Sequence, residues 1–135
     1  MIRDAAGIAA LLEATPALRH PLEAVAALGL PDAWIGAGFI RNAVWDALCG
    51  LPFGSNPPGD VDVAWFGPMR LDPAGVEVAA PWGLADLLGR VIRPTPGFAA
   101  DPAKRAVFER RLAEKRWSRR WPGLVAQSCA GSDRR

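Results

Sequence analysis

Residues 34–66, WIGAGFIRNAVWDALCGLPFGSNPPGDVDVAWF, decide how this chain folds. The apolar start predicts a short buried strand, and Gly36-Ala37-Gly38 predicts a tight turn after it. Residues 39–49 carry apolar side chains at four-residue spacing, which predicts a helix. A Gly/Pro-rich loop, residues 50–59, leads to a second predicted strand over residues 60–66. The order strand, turn, helix, loop and strand is the framework for the rest of the chain.

The turn and the start of the following helix predict an anion-binding site. Glycines such as Gly36 and Gly38 let a phosphate approach the backbone closely, and a helix N-terminus presents free N–H groups with a partial positive charge. Arg41, in the first helical turn, can donate two hydrogen bonds to a phosphate. Arg41 stands where a dinucleotide-binding fingerprint needs its third glycine, and no Walker phosphate loop is present. The alternative is a tight turn without a ligand.

The second strand begins with two acidic residues, Asp60 and Asp62. Because strand side chains alternate, both carboxylates are expected on one face, with Val61 and Val63 on the other. Adjacent carboxylates repel each other, so a hard divalent cation, Mg²⁺ or Mn²⁺, between them and a phosphate would stabilise the pair. Two such ions beside a triphosphate would support displacement at phosphorus. The alternative is a strand end with two solvated acids.

The segments AGFIRN, CGLP and DVDVAWF, in this order, resemble the nucleotidyltransferase head of the polymerase-beta superfamily, and CCA-adding enzyme heads in particular. Over residues 20–124 the chain is also similar to a family of small bacterial nucleotidyltransferase proteins. The resemblance implies an α+β fold, a small mixed β-sheet packed with helices, in one domain over residues 1–124. It also implies transfer of a nucleotidyl group from an NTP to a hydroxyl acceptor that the sequence does not identify.

The resemblance also implies roles for individual residues. Asp60 and Asp62 correspond to the metal carboxylates, and the expected nucleotide-binding residues are Gly36, Ala37, Gly38, Arg41 and Asn42. Two of these positions depart from the superfamily pattern. Ala37 replaces the first glycine of the usual pair, and Asn42 stands where CCA-adding heads have Asp.

Between Phe66 and Val76 the chain has only GPMRLDPAG, whereas the small bacterial family carries several tens of residues more. The chain therefore resembles an internally shortened member, and we expect residues 61–66 to pair antiparallel with residues 76–80. The superfamily that the chain resembles uses a third catalytic carboxylate on a neighbouring strand, and this pairing would bring Glu77 onto the sheet of the aspartates for that role. The alternative for Glu77 is an exposed hairpin acid. The alternative for the whole chain is a catalytically inactive relative that binds a nucleotide or acts as an interaction module.

Charge is distributed unevenly along the chain. Residues 1–100 contain six basic and ten acidic side chains, whereas residues 101–135 contain ten basic and four acidic ones. This balance favours weak nucleic-acid binding through residues 104–121, and the alternative is a solvated helix face. The polar stretch 125–135 is expected to be a disordered tail.

Composition sets the broad class. Apolar residues make up 50% of the chain, which excludes wholesale disorder. No apolar run is long enough to span a membrane, so no membrane partner is expected. The N-terminus lacks the features of a secretory signal, and the two cysteines form no metal-binding or disulfide pattern. We therefore expect a cytoplasmic protein.

Overall fold

The structure is a computed structural model, which describes residues 1–67 and 78–127. The chain divides into two compact units, Met1–Leu84 and Ala85–Arg135. The aspartate strand and the turn of the predicted site both belong to the first unit, and the basic helix belongs to the second.

The first unit contains three helices and two strands within its described residues: α1 (Ala5–Ala14), α2 (Pro16–Ala27), β1 (Ala33–Gly36), α3 (Gly38–Leu48) and β2 (Asp62–Trp65). Helix α1 begins after Asp4, whose Oδ1 accepts a hydrogen bond from the Gly7 N–H at 2.9 Å. Helix α2 begins with Pro16. Proline suits this position because it has no backbone N–H, and the N–H groups of the first helical turn have no partner within the helix. The sequence also predicts helices over residues 4–14 and 16–28, and all five elements agree with their predicted bounds to within two residues.

Helices α1 and α2 pack against each other, and α2 and α3 both contact β1. The buried apolar side chains of this unit are Ile8, Leu12, Leu18, Phe39, Ala43, Val44 and Trp45. More than half of them lie on α3, which also buries the polar residues Asn42 and Asp46. Helix α3 is therefore the central element of the unit that carries the predicted site.

Strands β1 and β2 pair antiparallel, with Ala33 opposite Trp65 at one end and Gly36 opposite Asp62 at the other. The predicted strand over residues 60–66 is too long at its start, because the observed strand begins at Asp62. Strand β1 ends at Gly36, which pairs with Asp62, so Asp60 and Val61 have no partner residue in β1 and lie outside the strand. Asp60 lies in a bend before the strand.

The expected pairing of residues 61–66 with residues 76–80 falls partly outside the described residues, since Val76 and Glu77 belong to the undescribed stretch 68–77. The described part, residues 78–80, forms no strand. Trp65 and Phe66, expected to lie nearest the shortened connection, are 57% and 62% exposed. The end of β2 therefore leaves two large apolar side chains in contact with solvent.

The second unit contains, within its described residues, α4 (Ala85–Gly89), β3 (Val91–Ile92), α5 (Pro96–Ala100), α6 (Pro102–Lys115), α7 (Trp117–Arg120) and β4 (Val125–Ala126). Helix α6 begins after Asp101, whose Oδ1 accepts hydrogen bonds from the N–H groups of Ala103 and Lys104 at 2.9 and 3.4 Å. It ends at Arg116, whose left-handed backbone (φ 47°, ψ 42°) separates it from α7. The sequence pattern predicts one helix over residues 103–117, and the structure has two, α6 and α7.

Strands β3 and β4 form a parallel pair, which the sequence did not predict. The N–H of Val125 donates to the carbonyl of Arg90 at 2.9 Å, and the N–H of Gln127 donates to that of Ile92 at 2.8 Å. The expected disordered tail from residue 125 therefore begins too early, because backbone hydrogen bonds order the chain through Gln127. Residues 128–135 lie outside the described residues.

The prediction of an α+β fold is confirmed, with helices combined with small sheets. In place of one mixed sheet, the described residues form two two-stranded sheets, one antiparallel and one parallel. Across residues 1–67 and 78–127, no helix combines the length and the apolar character needed to cross a membrane.

Candidate functional site

The turn between β1 and α3 has an unusual backbone at its central residue. Ala37 has φ 53° and ψ −128°, a conformation that favours glycine because a Cβ is strained there. The flanking Gly36 and Gly38 have no positive φ, although they are the glycines of the turn. A Cβ on Gly36 would meet nothing within 4 Å. Gly36 is therefore required neither by backbone conformation nor by packing, and it leaves open space beside the turn.

The N-terminus of α3 has no side-chain cap. Ala37 makes no capping hydrogen bond, and the first turn of the helix contains no acidic residue. A Cβ on Gly38 would lie 3.5 Å from Arg41 Nη2 and 3.7 Å from Pro58 Cβ. The guanidinium of Arg41 and the loop before β2 thus both lie close to the helix start, where backbone N–H groups carry partial positive charge.

Asn42 and Trp45 both contact the side chain of Arg41. Its Nε and Nη2 donate to Oδ1 of Asn42 at 3.3 and 3.2 Å. Its guanidinium carbon lies 5.5 Å from the centre of the Trp45 ring, in the range of a cation–π contact. Arg41 is itself half-buried. The side chain is therefore fixed beside the helix start instead of extending into solvent.

The two aspartates occupy different environments. Asp62 is the first residue of β2 and lies opposite Gly36, next to the turn. Asp60 precedes the strand, so strict strand alternation does not govern its direction. Both residues are exposed, and neither side chain makes a hydrogen bond or an ion pair within the described part of the chain. Their carboxylates are therefore available to an external ligand.

Asn42 and Asp46 are buried, at 4% and 2% exposure. The Nδ2 of Asn42 donates to the carbonyl of Asn56 at 3.0 Å. Asp46 Oδ2 accepts from the Asn56 N–H at 3.1 Å, and Asp46 Oδ1 accepts from Asn56 Nδ2 at 2.7 Å. The four-residue spacing of Asn42 and Asp46 in the sequence indicates one shared helix face, but a solvated helix acid was the favoured interpretation of Asp46. Its burial shows that this interpretation is wrong.

The structure brings together most of the predicted site residues. The pairing of β1 with β2 places Gly36 and Asp62 side by side, and Ala37, Gly38 and Arg41 follow directly in the turn and α3. Asn42 was expected to bind nucleotide, but its side chain bonds Arg41 and Asn56. Glu77, the expected third carboxylate, lies outside the described residues.

Comparison with known proteins identifies similar sequences and folds. A family model described as Nucleotidyltransferase matches residues 23–75 and 68–126. A solved NMR structure, described as revealing a CCA-adding enzyme head domain, is similar with a TM-score of 0.73 and 20% identity, covering 95% of this chain and 98% of that chain. At this identity the likeness shows the fold. No curated protein matches the sequence.

Proposed function

Since this chain belongs to the nucleotidyltransferase family, we propose that it transfers a nucleotidyl group from an NTP to a hydroxyl acceptor in a reaction that depends on Mg²⁺ or Mn²⁺. Family membership indicates a nucleotidyltransferase kind of function, with a nucleotide as substrate. The observation that carries the finer proposal is the register of the first sheet. It places Asp62 opposite Gly36, so that an exposed carboxylate adjoins an uncapped helix N-terminus.

The turn and α3 would bind the triphosphate. The free N–H groups at the start of α3 and the guanidinium of Arg41 supply hydrogen-bond donors and positive charge. Gly36 supports this role because it leaves space where a side chain would stand. Ala37 holds the turn in a conformation that costs free energy of order 1–3 kcal/mol. Such strain is consistent with a turn shaped for a ligand.

Asp60 and Asp62 would hold the metal ion. Carboxylate oxygens suit Mg²⁺, which proteins usually bind through one or two carboxylates together with substrate phosphates. The donor set of two exposed, unpaired carboxylates fits such an ion. When bound, the ion would neutralise charge on the phosphates and favour attack at phosphorus. The chain's own residues would orient the phosphates through Arg41 and the turn, and would position the carboxylates through β2.

The alternative is a shortened, catalytically inactive relative that keeps nucleotide binding or acts as an interaction module. Within residues 1–67 and 78–127, no group of three or more His, Cys, Asp or Glu side chains could hold a metal ion. The expected third carboxylate, Glu77, lies outside these ranges. With a panel of hydroxyl compounds supplied to accept the nucleotidyl group, an active enzyme should release pyrophosphate from an NTP, and Glu77→Gln should stop the release while nucleotide binding persists. Binding by the wild-type protein without release in the presence of every acceptor would favour the inactive relative.

A basic surface at the junction of α6 and α7 supports a second proposal, weak binding of nucleic acid through residues 104–121. An open depression there is lined by Ala113, Glu114, Lys115, Arg116, Arg119 and Arg120. Lys115, Arg116 and Arg119 form no ion pair with any carboxylate in the part of the chain that the structure describes. Phosphate groups could neutralise these charges.

Thermal unfolding tests the main proposal directly. Because a ligand that binds only the folded state stabilises it, millimolar Mg²⁺ or Mn²⁺ with ATP, CTP, GTP or UTP should raise the Tm. Asp62→Ala should abolish the metal-dependent part of the rise. Glu13→Ala removes an exposed acid from α1 and should leave the rise intact, which makes it the control. An unchanged Tm of the wild-type protein with all four nucleotides would contradict both nucleotide-binding proposals.

A further inference from the structure

Asn42, Asp46 and Asn56 form a hydrogen-bonded network in the first unit, on the inner side of α3. Asn42 and Asp46 are four residues apart, so they lie on one face of the helix. Asn56 belongs to the loop between α3 and β2 and is half-buried. The network therefore joins the central helix to the loop that leads to the aspartates.

Three polar groups of Asn56 are bound at once. Its N–H and its Nδ2 both donate to the Asp46 carboxylate, at 3.1 and 2.7 Å, and its carbonyl accepts from Asn42 Nδ2 at 3.0 Å. A carboxylate that is 2% exposed is costly unless hydrogen bonds satisfy its oxygens, and Asn56 supplies one donor to each oxygen. Asp46 and Asn56 are chemically matched, because the two carboxylate oxygens of Asp46 accept from the backbone N–H and the side-chain Nδ2 of Asn56.

The same network reaches the proposed phosphate site. Oδ1 of Asn42 accepts from Nε and Nη2 of Arg41, while Nδ2 of the same side chain bonds Asn56. One amide thus contacts both Arg41 and the loop. Pro58, two residues after Asn56, lies 3.7 Å from the position of a Cβ on Gly38. The loop is therefore held against the start of α3 shortly before it reaches Asp60.

We propose that Asn42, Asp46 and Asn56 are positioning residues, which hold Arg41 and the segment 57–60 in one arrangement and so set the spacing between the phosphate-binding and metal-binding parts of the site. The role in ligand binding rests on the function proposed above, whereas the ordering of the loop does not. None of the three residues needs to touch the nucleotide for this role.

The first measurement concerns the loop without any nucleotide. Asp46→Asn keeps the shape of the side chain but turns one acceptor into a donor that faces an N–H of Asn56. We expect the backbone amide of Asn56 to exchange with solvent about tenfold faster, because a hydrogen bond to a charged group is lost. NMR order parameters of residues 53–60 should fall as well. Ile8→Val, a buried change in α1, is the control for a general loss of stability.

The second measurement is the affinity for Mg²⁺·NTP, by titration calorimetry with each of the four nucleotides. Asp46→Asn should weaken binding about tenfold, whereas Ile8→Val should leave it unchanged. Asn56→Ala, which removes the side-chain amide with its Nδ2 donor but keeps the backbone N–H, should act in the same direction and serves if Asp46→Asn does not fold.

The two measurements separate the possible failures. Exchange at Asn56 and order parameters that match those of Ile8→Val would overturn the proposal. If Asp46→Asn speeds exchange at Asn56 and lowers the order parameters of residues 53–60 but leaves the nucleotide affinity unchanged, the positioning role in binding is overturned. If Asp46→Asn has the same effects on the loop but the wild-type protein binds no nucleotide, the proposed function is overturned. The conclusion that the network orders the loop would then still hold.

Discussion

Gly36 lies directly opposite Asp62 in the antiparallel pair of β1 and β2. A Cβ at Gly36 would meet nothing within 4 Å, so the space beside this pair is open. The absence of a side chain at Gly36 therefore meets no packing requirement of the fold, and it suits the proposed ligand.

Gly36→Ala should separate ligand binding from stability. The added methyl group meets no protein atom within 4 Å, and alanine restricts the unfolded chain, so the Tm should stay equal or rise slightly. The same methyl group would stand in the space where a phosphate approaches, so the Mg²⁺·NTP-dependent rise in Tm should fall by at least about half. Gly97→Ala in α5, where a Cβ also meets nothing, should leave the rise unchanged. Equal rises in both variants would argue against a ligand beside Gly36.

Ala37→Gly should stabilise the protein, because Ala37 has a φ of 53° that glycine adopts without strain. We expect the free energy of unfolding to rise by about 1 kcal/mol. Ala24→Gly, at an exposed position inside α2, is the matched control and should lower it by about 1 kcal/mol, since glycine disfavours helix. Urea denaturation measures both changes. A loss of stability in both variants would show that the backbone at residue 37 is not strained.

Asn42→Asp should destabilise the first unit, although it restores the residue found in CCA-adding heads. The Nδ2 of Asn42 donates to the buried carbonyl of Asn56, and a carboxylate cannot donate. The change also places a second acid four residues before the buried Asp46, where like charges repel. The free energy of unfolding should fall by about 1–3 kcal/mol in urea denaturation. A stability equal to that of the wild type would show that the bond to Asn56 contributes nothing.

Binding of nucleic acid to the second unit should be weak, independent of sequence and strongly salt-dependent, because each neutralised phosphate releases counterions. Replacing Lys115 and Arg119 by Gln should reduce the slope of log K against log salt by about 2 for a duplex. Arg19→Gln, which removes an exposed arginine of α2 paired with Glu23 at 3.2 Å, should leave the slope unchanged. Fluorescence anisotropy with a labelled duplex measures the slope. Tight, sequence-selective binding at physiological salt would contradict the prediction.

Much of the first unit could be predicted from the sequence. The helices α1, α2 and α3 and the strand β1 follow from apolar spacing, the Asp4 cap and the prolines and glycines between them, all of which act locally. The motifs of residues 34–66 also indicated the family and the α+β class, both of which are confirmed. Missed elements, such as the two-residue strands β3 and β4, are too short to produce a periodic pattern.

The geometry of the candidate site could not be predicted from local sequence patterns alone. The sequence by itself determined that a glycine-rich turn, Arg41 and two aspartates occur in order along one chain. Only the tertiary structure decided that β1 pairs with β2 in the register that sets Gly36 against Asp62, and that Asn56 donates to Asp46 and accepts from Asn42. Strand pairing and burial depend on contacts between residues that are distant in the chain, and the spacing of residues in the sequence does not encode which distant partners meet.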